Sequence, residues 1–149
     1  MMAEIMVHGG MEAVGREMHR AVRAHSADLG KLAGLGLEEF FAMVRNIRYA
    51  DDESLFATSS VELTPGPQTI LRMPAIDCKK KAILMASWAK ENGVPFRFVA
   101  VCEDGTGIAH HVFVQFPGLL HWKNIDATLP EYRIGDDKPL VTHAWILGE

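Results

Sequence analysis

The chain has 149 residues, 48% of them hydrophobic and 23% charged, and a formal net charge of −4. This composition is typical of a folded globular protein, and it excludes a disordered or fibrous chain. The length fits one domain, residues 1–149, with a core of its own. The mild acidity argues against a protein that binds nucleic acid through a basic face.

No membrane or export segment is predicted. The most apolar run, residues 82–89, is far shorter than the ~18 residues that a membrane span requires. The first ten residues lack a basic segment followed by an apolar one, so no secretory signal is expected. A cytoplasmic protein is the default expectation.

The first part of the chain, residues 1–48, predicts helices. Apolar side chains recur every three or four residues in two stripes, separated by glycines, which is the pattern of helices that pack on a core. The first stripe comprises Met11, Val14, Met18, Val22, His25 and Leu29, and the second Leu37, Phe40, Phe41, Val44 and Ile47. What residues 1–48 contribute beyond this packing stays open.

Residues 49–77 show little periodicity. They include a charge run at residues 51–53 that is typical of solvated surface, and turn chemistry in the Thr-Pro-Gly-Pro run at residues 64–67. Such a long irregular stretch in a compact domain is usually functional, or contains structure that the pattern does not reveal.

A central helix has the clearest boundaries. Asp77 is its predicted N-cap, because the carboxylate can accept hydrogen bonds from the free amides of the first turn. Residues 82–89 are apolar on nearly every face, which predicts a buried helix. Gly93 supplies a left-handed C-terminal cap, and Pro95 prevents continuation.

Strand patterns take over after this helix. Residues 96–102, 108–116 and 119–126 are rich in β-branched and aromatic side chains, with turns at residues 104–107 and 117–118. Helices followed by an antiparallel meander predict an α+β fold, in which the central helix packs on the sheet.

Cys78 lies in the first turn of the central helix, where free amides and the helix dipole favour a thiolate. Lys79, Lys80 and Lys81 follow it directly. Either these cations add a positive field around the thiol, or they are simply solvated surface. Cys102, in an apolar strand, is expected to be a small buried hydrophobic residue. A disulfide between the two cysteines is not expected.

A nucleophilic thiolate needs a base and a group that orients the base. His110 and His111 are neighbours on a predicted strand, so their side chains should point to opposite faces and only one can face Cys78. Asp126 ends the next strand and could reach the outer nitrogen of that histidine. Order along the chain does not by itself select these residues, because seven histidines and many acids allow many such orders.

Together the motifs resemble the transglutaminase-like superfamily, a group of papain-like cysteine hydrolases and acyltransferases. The similarity covers about residues 68–130, and its compact spacing resembles the short bacterial and phage members. The motifs are Asp77-Cys78 at the helix start, Gly93-Val94-Pro95-Phe96-Arg97 leading into the first strand, His111-Val112-Phe113 in the second, and Trp122 with Asp126-Ala127-Thr128 at the third.

The resemblance implies that Cys78 is the nucleophile, His111 the general base and acid, and Asp126 the orienting carboxylate. His111 is preferred over His110 because it lies two residues before an aromatic residue, as in the family. The implied reaction is attack on a peptide or protein amide through a thioester, without a cofactor. The weaker assignments are Gln68 as an oxyanion donor beside the Cys78 amide, and Lys79, His110 and Trp122 as residues that line the cleft.

The sequence departs from the family at two points: Ile76 replaces the usual Gly before the Asp-Cys pair, and lysines follow the Cys. Two alternatives stay open, and these departures motivate the first. The chain could be a catalytically inactive member of the fold that serves as a binding or assembly module. It could also hold a metal through Cys102, His110, His111 or Asp126, although their spacing fits no zinc pattern. Substrate identity, hydrolysis versus transfer, and oligomeric state are not predicted.

Overall fold

The computed structural model describes residues 2–50 and 65–149, with side chains described from residue 10 onward. Its elements are α1 (Met2–His25), a 3-10 helix (Ser26–Gly34), α2 (Leu37–Arg45), α3 (Pro67–Leu71), α4 (Cys78–Glu91), β1 (Arg97–Cys102), β2 (His111–Pro117), β3 (Trp122–Ile125) and β4 (His143–Leu147). Within the described residues, four α-helices pack on a four-stranded antiparallel sheet, which confirms the predicted α+β fold. None of the described helices has the length and apolar character needed to cross a bilayer.

The sheet has the strand order β3-β2-β1-β4, and all its pairs are antiparallel. The meander of β1, β2 and β3 was predicted, and its register pairs Val101 with His111 and Val114 with Ile125. β4 was not predicted; its first residue, His143, pairs with Cys102 of β1. The strand is short and mostly exposed, so it lacks the alternating burial that would reveal it.

Helix α4 forms the centre of the core, as predicted. Its side chains from Lys81 to Ala89 are all buried, and Trp88 stacks between Phe40 and Phe116 with centroid distances of 6.4 and 6.2 Å. Burying each large apolar side chain stabilises the fold by about 1.5–3 kcal/mol. Both predicted boundaries are confirmed, since Asp77 is the N-cap and Gly93 has a φ of 68° just after the helix.

The first predicted helix is shorter than its apolar stripe. Helix α1 ends at His25, whose side chain is exposed and pairs with Asp28 at 3.4 Å. Leu29 is buried, but from the 3-10 helix that follows. A Cβ at Gly66 would lie 2.6 Å from the Cβ of His25, so the chain passes close against this helix end at a position that only glycine fits.

Pro67 begins a helix that the turn pattern did not indicate. Helix α3 is only five residues long, with proline in its first turn and Ile70 fully buried. Proline is favourable there because the first amides of a helix have no intrahelical acceptor. The predicted charge run at residues 51–53 lies outside the described residues.

Candidate active site

Cys78 is the first residue of α4, and only 1% of its surface is exposed. The carboxylate of Asp77 accepts a hydrogen bond from the Lys80 amide at 2.8 Å, which fixes the start of the helix. The thiol therefore lies at the positive end of the helix dipole, where negative charge is stabilised.

Ile76 fits before α4 because the segment that leads into this helix is extended and its backbone pairs with residues 48–50. Its amide donates to the carbonyl of Arg48 at 2.9 Å, and its carbonyl accepts from the Ala50 amide at 2.9 Å. The side chain of Ile76 is 2% exposed and belongs to the core. The residue that departs from the family pattern thus anchors the segment that carries Asp77 and Cys78.

His111 and Asp126 are hydrogen-bonded to each other. His111 begins β2, Asp126 follows the end of β3, and the imidazole Nε2 lies 2.7 Å from the carboxylate Oδ2. The Cys78 side chain lies close enough to His111 to raise the pKa of the imidazole. Because Asp126 occupies Nε2, Nδ1 is the ring nitrogen left for the thiol. The structure thus brings together Cys78, His111 and Asp126.

The pKa of His111 is raised to about 10. Burial alone would lower this pKa, but the hydrogen bonds and negative charges of Asp126 and Cys78 outweigh burial. At neutral pH the imidazole therefore carries a proton and can pair with a thiolate.

Asp126 is almost completely buried, with 3% of its surface exposed, and both carboxylate oxygens have partners. Oδ1 accepts from the Thr128 hydroxyl at 2.6 Å and from the Thr128 amide at 3.2 Å. Oδ2 is shared by His111 and the ammonium group of Lys138. Burial would raise the pKa of Asp126, but the hydrogen bonds and charges of His111 and Lys138 hold it well below its usual range.

Lys138 is a site residue that the sequence analysis missed. Besides its contact with Asp126, its ammonium lies 3.8 Å from the ring centroid of Tyr132 and 5.3 Å from that of Phe113. Its side chain is only 11% exposed, so these contacts hold the charge against the carboxylate. No periodicity marks Lys138, because it lies in an irregular segment between β3 and β4.

The three lysines after Cys78 separate into different environments. Lys81 is 1% exposed, and its ammonium donates to the carbonyls of Arg45 and Thr128 at 3.1 and 3.2 Å. Burial lowers the pKa of Lys81 to about 8, although the charge of Asp126 opposes this. Lys80 pairs with Asp77 at 3.3 Å. The buried Lys81 side chain therefore connects the end of α2 to the loop after Asp126. Neither expectation for the lysines, a positive field around the thiol or solvated surface, included this role.

A cavity of about 210 Å³ opens beside His111. His110 lines it together with His111, although neighbouring strand residues were expected to face opposite ways. The alternation does not apply, because β2 begins at His111 and His110 precedes the strand. The lining residues are Tyr49, Glu103, His110, His111, Thr128, Leu129 and Tyr132.

The other residues assigned from the sequence are Gln68, Lys79 and Trp122. Gln68 is exposed in the first turn of α3, and Lys79 is half-buried in the first turn of α4. The ring of Trp122 packs under the guanidinium of Arg97, whose central carbon lies 4.5 Å from the ring centroid. In the register of β2 and β3, Trp122 pairs with Pro117. That pairing places Trp122 at the opposite end of β2 from His111, about 20 Å away along the strand.

Cys102 is a free thiol, as is Cys78. It is fully buried, as expected, but its thiol also donates to the Asp104 carboxylate at 3.1 Å. A hydrogen bond from Thr142 is the main cause that lowers the pKa of Cys102, to about 6, while burial and the Asp104 bond oppose it. Cys102 is thus polar in its contacts as well as buried.

No protein-family model matches this sequence, and no curated protein is significantly similar to it. A solved structure is similar: the "Putative Cysteine Protease from Cytophaga hutchinsonii", with a TM-score of 0.50 and 17% sequence identity. The similarity covers 83% of this chain and 47% of that protein, so the chain spans about half its length. At this identity the likeness is one of fold. It is compatible with the papain-like, transglutaminase-like core that the motifs imply.

Proposed function

We propose that this protein is a cysteine-dependent amide hydrolase or acyl transferase in which Cys78, His111 and Asp126 act together. The observation that carries the proposal is their convergence. A thiol at a helix N-terminus lies close enough to an imidazole to raise the pKa of that imidazole, and the imidazole Nε2 lies 2.7 Å from a buried carboxylate. This is the arrangement of nucleophile, base and orienting group that acyl transfer requires.

In the first step, the Cys78 thiolate attacks the carbonyl carbon of an amide and forms a tetrahedral intermediate. The C–N bond then breaks, and the His111 imidazolium gives its Nδ1 proton to the leaving amine. The products are a thioester on Cys78, a free amine and a neutral imidazole.

In the second step, His111 takes a proton from a water molecule, whose oxygen attacks the thioester carbonyl. The C–S bond breaks, which releases a carboxylic acid and restores the thiolate and imidazolium. If an amine replaces water, the product is a new amide and the same groups act. Hydrolysis and transfer therefore differ only in the nucleophile that reaches the thioester.

The tetrahedral oxyanion needs hydrogen-bond donors. The amide of Cys78 is suited to this role, because the first amides of an α-helix have no intrahelical acceptor. Gln68 is our candidate for a second donor, since it lies on α3, an element that packs against α4.

A peptide or protein is the substrate class that we favour. The volume of about 210 Å³ beside His111 is below the roughly 300 Å³ at which small-molecule pockets usually begin. A polypeptide could insert one side chain into this cavity while its backbone crosses the rim. The name of the structurally similar protein, "Putative Cysteine Protease", points to the same class.

An inactive binding module is the second candidate, and the burial of Cys78 favours it. With only 1% of the residue exposed, a substrate carbonyl can reach the thiol only if neighbouring groups move. The binding module and the enzyme therefore differ in a measurable property, the reactivity of Cys78.

The deciding experiment measures alkylation of Cys78 by iodoacetamide as a function of pH, resolved from Cys102 by peptide mass spectrometry. In the wild type, we expect rapid alkylation well below the ordinary thiol pKa of about 8.5, and marked slowing in His111→Ala. Incubation with a peptide library and hydroxylamine should then give peptide hydroxamates, since hydroxylamine intercepts a thioester. Cys78→Ser should give none.

Two results would count against the enzyme. A Cys78 thiol that is inert, or that reacts equally with and without His111, contradicts the ion pair and favours the binding module. Hydroxamate formation that persists in Cys78→Ser would show that another group or a contaminant is responsible.

A further inference from the structure

A second cluster of chemically versatile side chains lies at the turn between β1 and β2. Cys102 ends β1, Asp104 is in the turn, and His110 precedes β2. One ligand atom from each residue lies within 4.8 Å of the others. The Cys102 thiol lies 3.1 Å from Asp104 Oδ1, and His110 Nδ1 lies 3.9 Å from Asp104 Oδ2.

The backbone of the cluster is held by the sheet. Cys102 pairs with His143 of β4, and the amide of His110 donates to the carbonyl of Val101 at 3.1 Å. The Asp104 carboxylate is oriented by the amide and hydroxyl of Thr106, at 3.0 and 2.7 Å. The three donors therefore converge because of strand pairing and turn structure.

We propose that Cys102, Asp104 and His110 bind a divalent cation of the zinc class. Ligand atoms bonded to tetrahedral Zn²⁺ at about 2.0–2.3 Å lie about 3.3–3.6 Å apart. The thiol and the imidazole lie 3.1 and 3.9 Å from different oxygens of Asp104, and the three ligand atoms lie within 4.8 Å of one another, so a shift of the exposed Asp104 and His110 side chains would bring them to these separations. A thiolate, an imidazole and a carboxylate together suit Zn²⁺, whereas Mg²⁺ and Ca²⁺ prefer oxygen ligands alone.

Binding requires small rearrangements of protons. The Cys102 thiol gives up its proton, and the imidazole proton of His110 moves to Nε2, since Nδ1 now lies 3.1 Å from the carbonyl of Ile108. Three protein ligands leave a fourth position for water or another oxygen ligand. Structural zinc sites have four protein ligands, whereas a site with three protein ligands keeps one position at which water or another ligand can exchange.

The site differs from the metal alternative that the sequence suggested. That alternative grouped Cys102 and His110 with His111 and Asp126, but His111 and Asp126 are engaged with each other. Asp104, which the sequence analysis did not single out, takes their place. Because His110 also lines the cavity beside His111, a bound cation would add positive charge to the wall of that cavity.

Titration of the untagged, chelator-treated full chain with Co²⁺ tests the proposal. We expect one equivalent to produce the near-ultraviolet charge-transfer band of a cobalt thiolate and d–d bands of tetrahedral cobalt. Cys102→Ser should abolish the charge-transfer band. His110→Ala and Asp104→Asn should weaken Co²⁺ binding by more than about tenfold, since even outer-shell changes cost that much.

The controls separate this site from the candidate active site and from misfolding. Cys78→Ser and His121→Ala, which alters an exposed histidine elsewhere, should bind Co²⁺ like the wild type. The side chains of His110 and Asp104 are 44% and 54% exposed, so their substitution leaves the core intact and keeps the test valid if Cys102→Ser is unstable. No thiolate band in the wild type, or a band lost in Cys78→Ser and kept in His110→Ala, would overturn the proposal.

Discussion

Lys138 and Asp126 form a buried ion pair on the same carboxylate oxygen that holds His111. Asp126 therefore faces two cations, an ammonium and an imidazolium, and its charge is divided between them. This relationship bears directly on the proposed chemistry. A carboxylate that is partly neutralised by Lys138 stabilises the imidazolium less strongly, which eases proton donation from His111 to a leaving amine.

Replacing Lys138 by Met should raise the pKa of His111 above about 10, because a repelling positive charge is lost and Asp126 interacts with the imidazole alone. The measurement is an NMR titration of the His111 ring in wild type and variant. Lys138→Arg keeps the charge and is the matched control. An unchanged or lowered pKa in Lys138→Met would show that Lys138 does not tune the imidazole.

Asp126→Asn should reduce any amide-cleaving activity by about 10⁴-fold, the loss that follows when a triad carboxylate is replaced by its amide. The amide can still accept from Thr128, so the loop keeps its structure while the negative charge beside the His111 imidazole disappears. The pKa of His111 should fall, and alkylation of Cys78 at neutral pH should slow with it. Thr128→Val, which removes only the hydroxyl contact, serves as the milder comparison, and equal effects of the two variants would argue against a role for the charge.

The stability of the protein should depend on the protonation of His111. Its pKa is raised from 6.5 to about 10 in the folded state, so its contribution is complete below pH 6.5 and is lost as the pH rises through about 10. Urea unfolding across this range should show that the difference in free energy of unfolding between the wild type and His111→Gln decreases as the pH increases. A difference between the two proteins that stays constant from pH 6.5 to 10 would contradict the raised pKa.

Lys81→Ala should destabilise the fold by about 3 kcal/mol, because it leaves a cavity and removes the donor from two buried carbonyls. Lys80→Ala is the matched control from the same lysine run. It should lower the free energy of unfolding by less than about 1 kcal/mol, the value of a partly exposed ion pair. The free energies of unfolding come from urea titration. Equal losses of stability in the two variants would mean that the contacts of Lys81 with Arg45 and Thr128 do not stabilise the fold.

The sequence by itself determined the features that depend on neighbouring residues. Asp77 caps α4 and Gly93 ends it because both act within one helical turn, and the buried face of α4 follows from its uninterrupted apolar run. The antiparallel meander follows from short β-rich segments with turn residues between them. The same local motifs led to Cys78, His111 and Asp126, which the structure then places together.

Only the tertiary structure decided which distant groups meet. Lys138 contacts Asp126, 12 residues away in the sequence, and Lys81 contacts the Thr128 carbonyl, 47 residues away. Neither contact produces a periodic pattern in the sequence. Trp122 matches a family motif, yet strand register places it at the far end of β2. Cys102, Asp104 and His110 converge for a related reason, since pairing of β1 and β2 sets how the turn folds. Capping and periodicity are short-range effects, whereas these contacts depend on how whole elements pack.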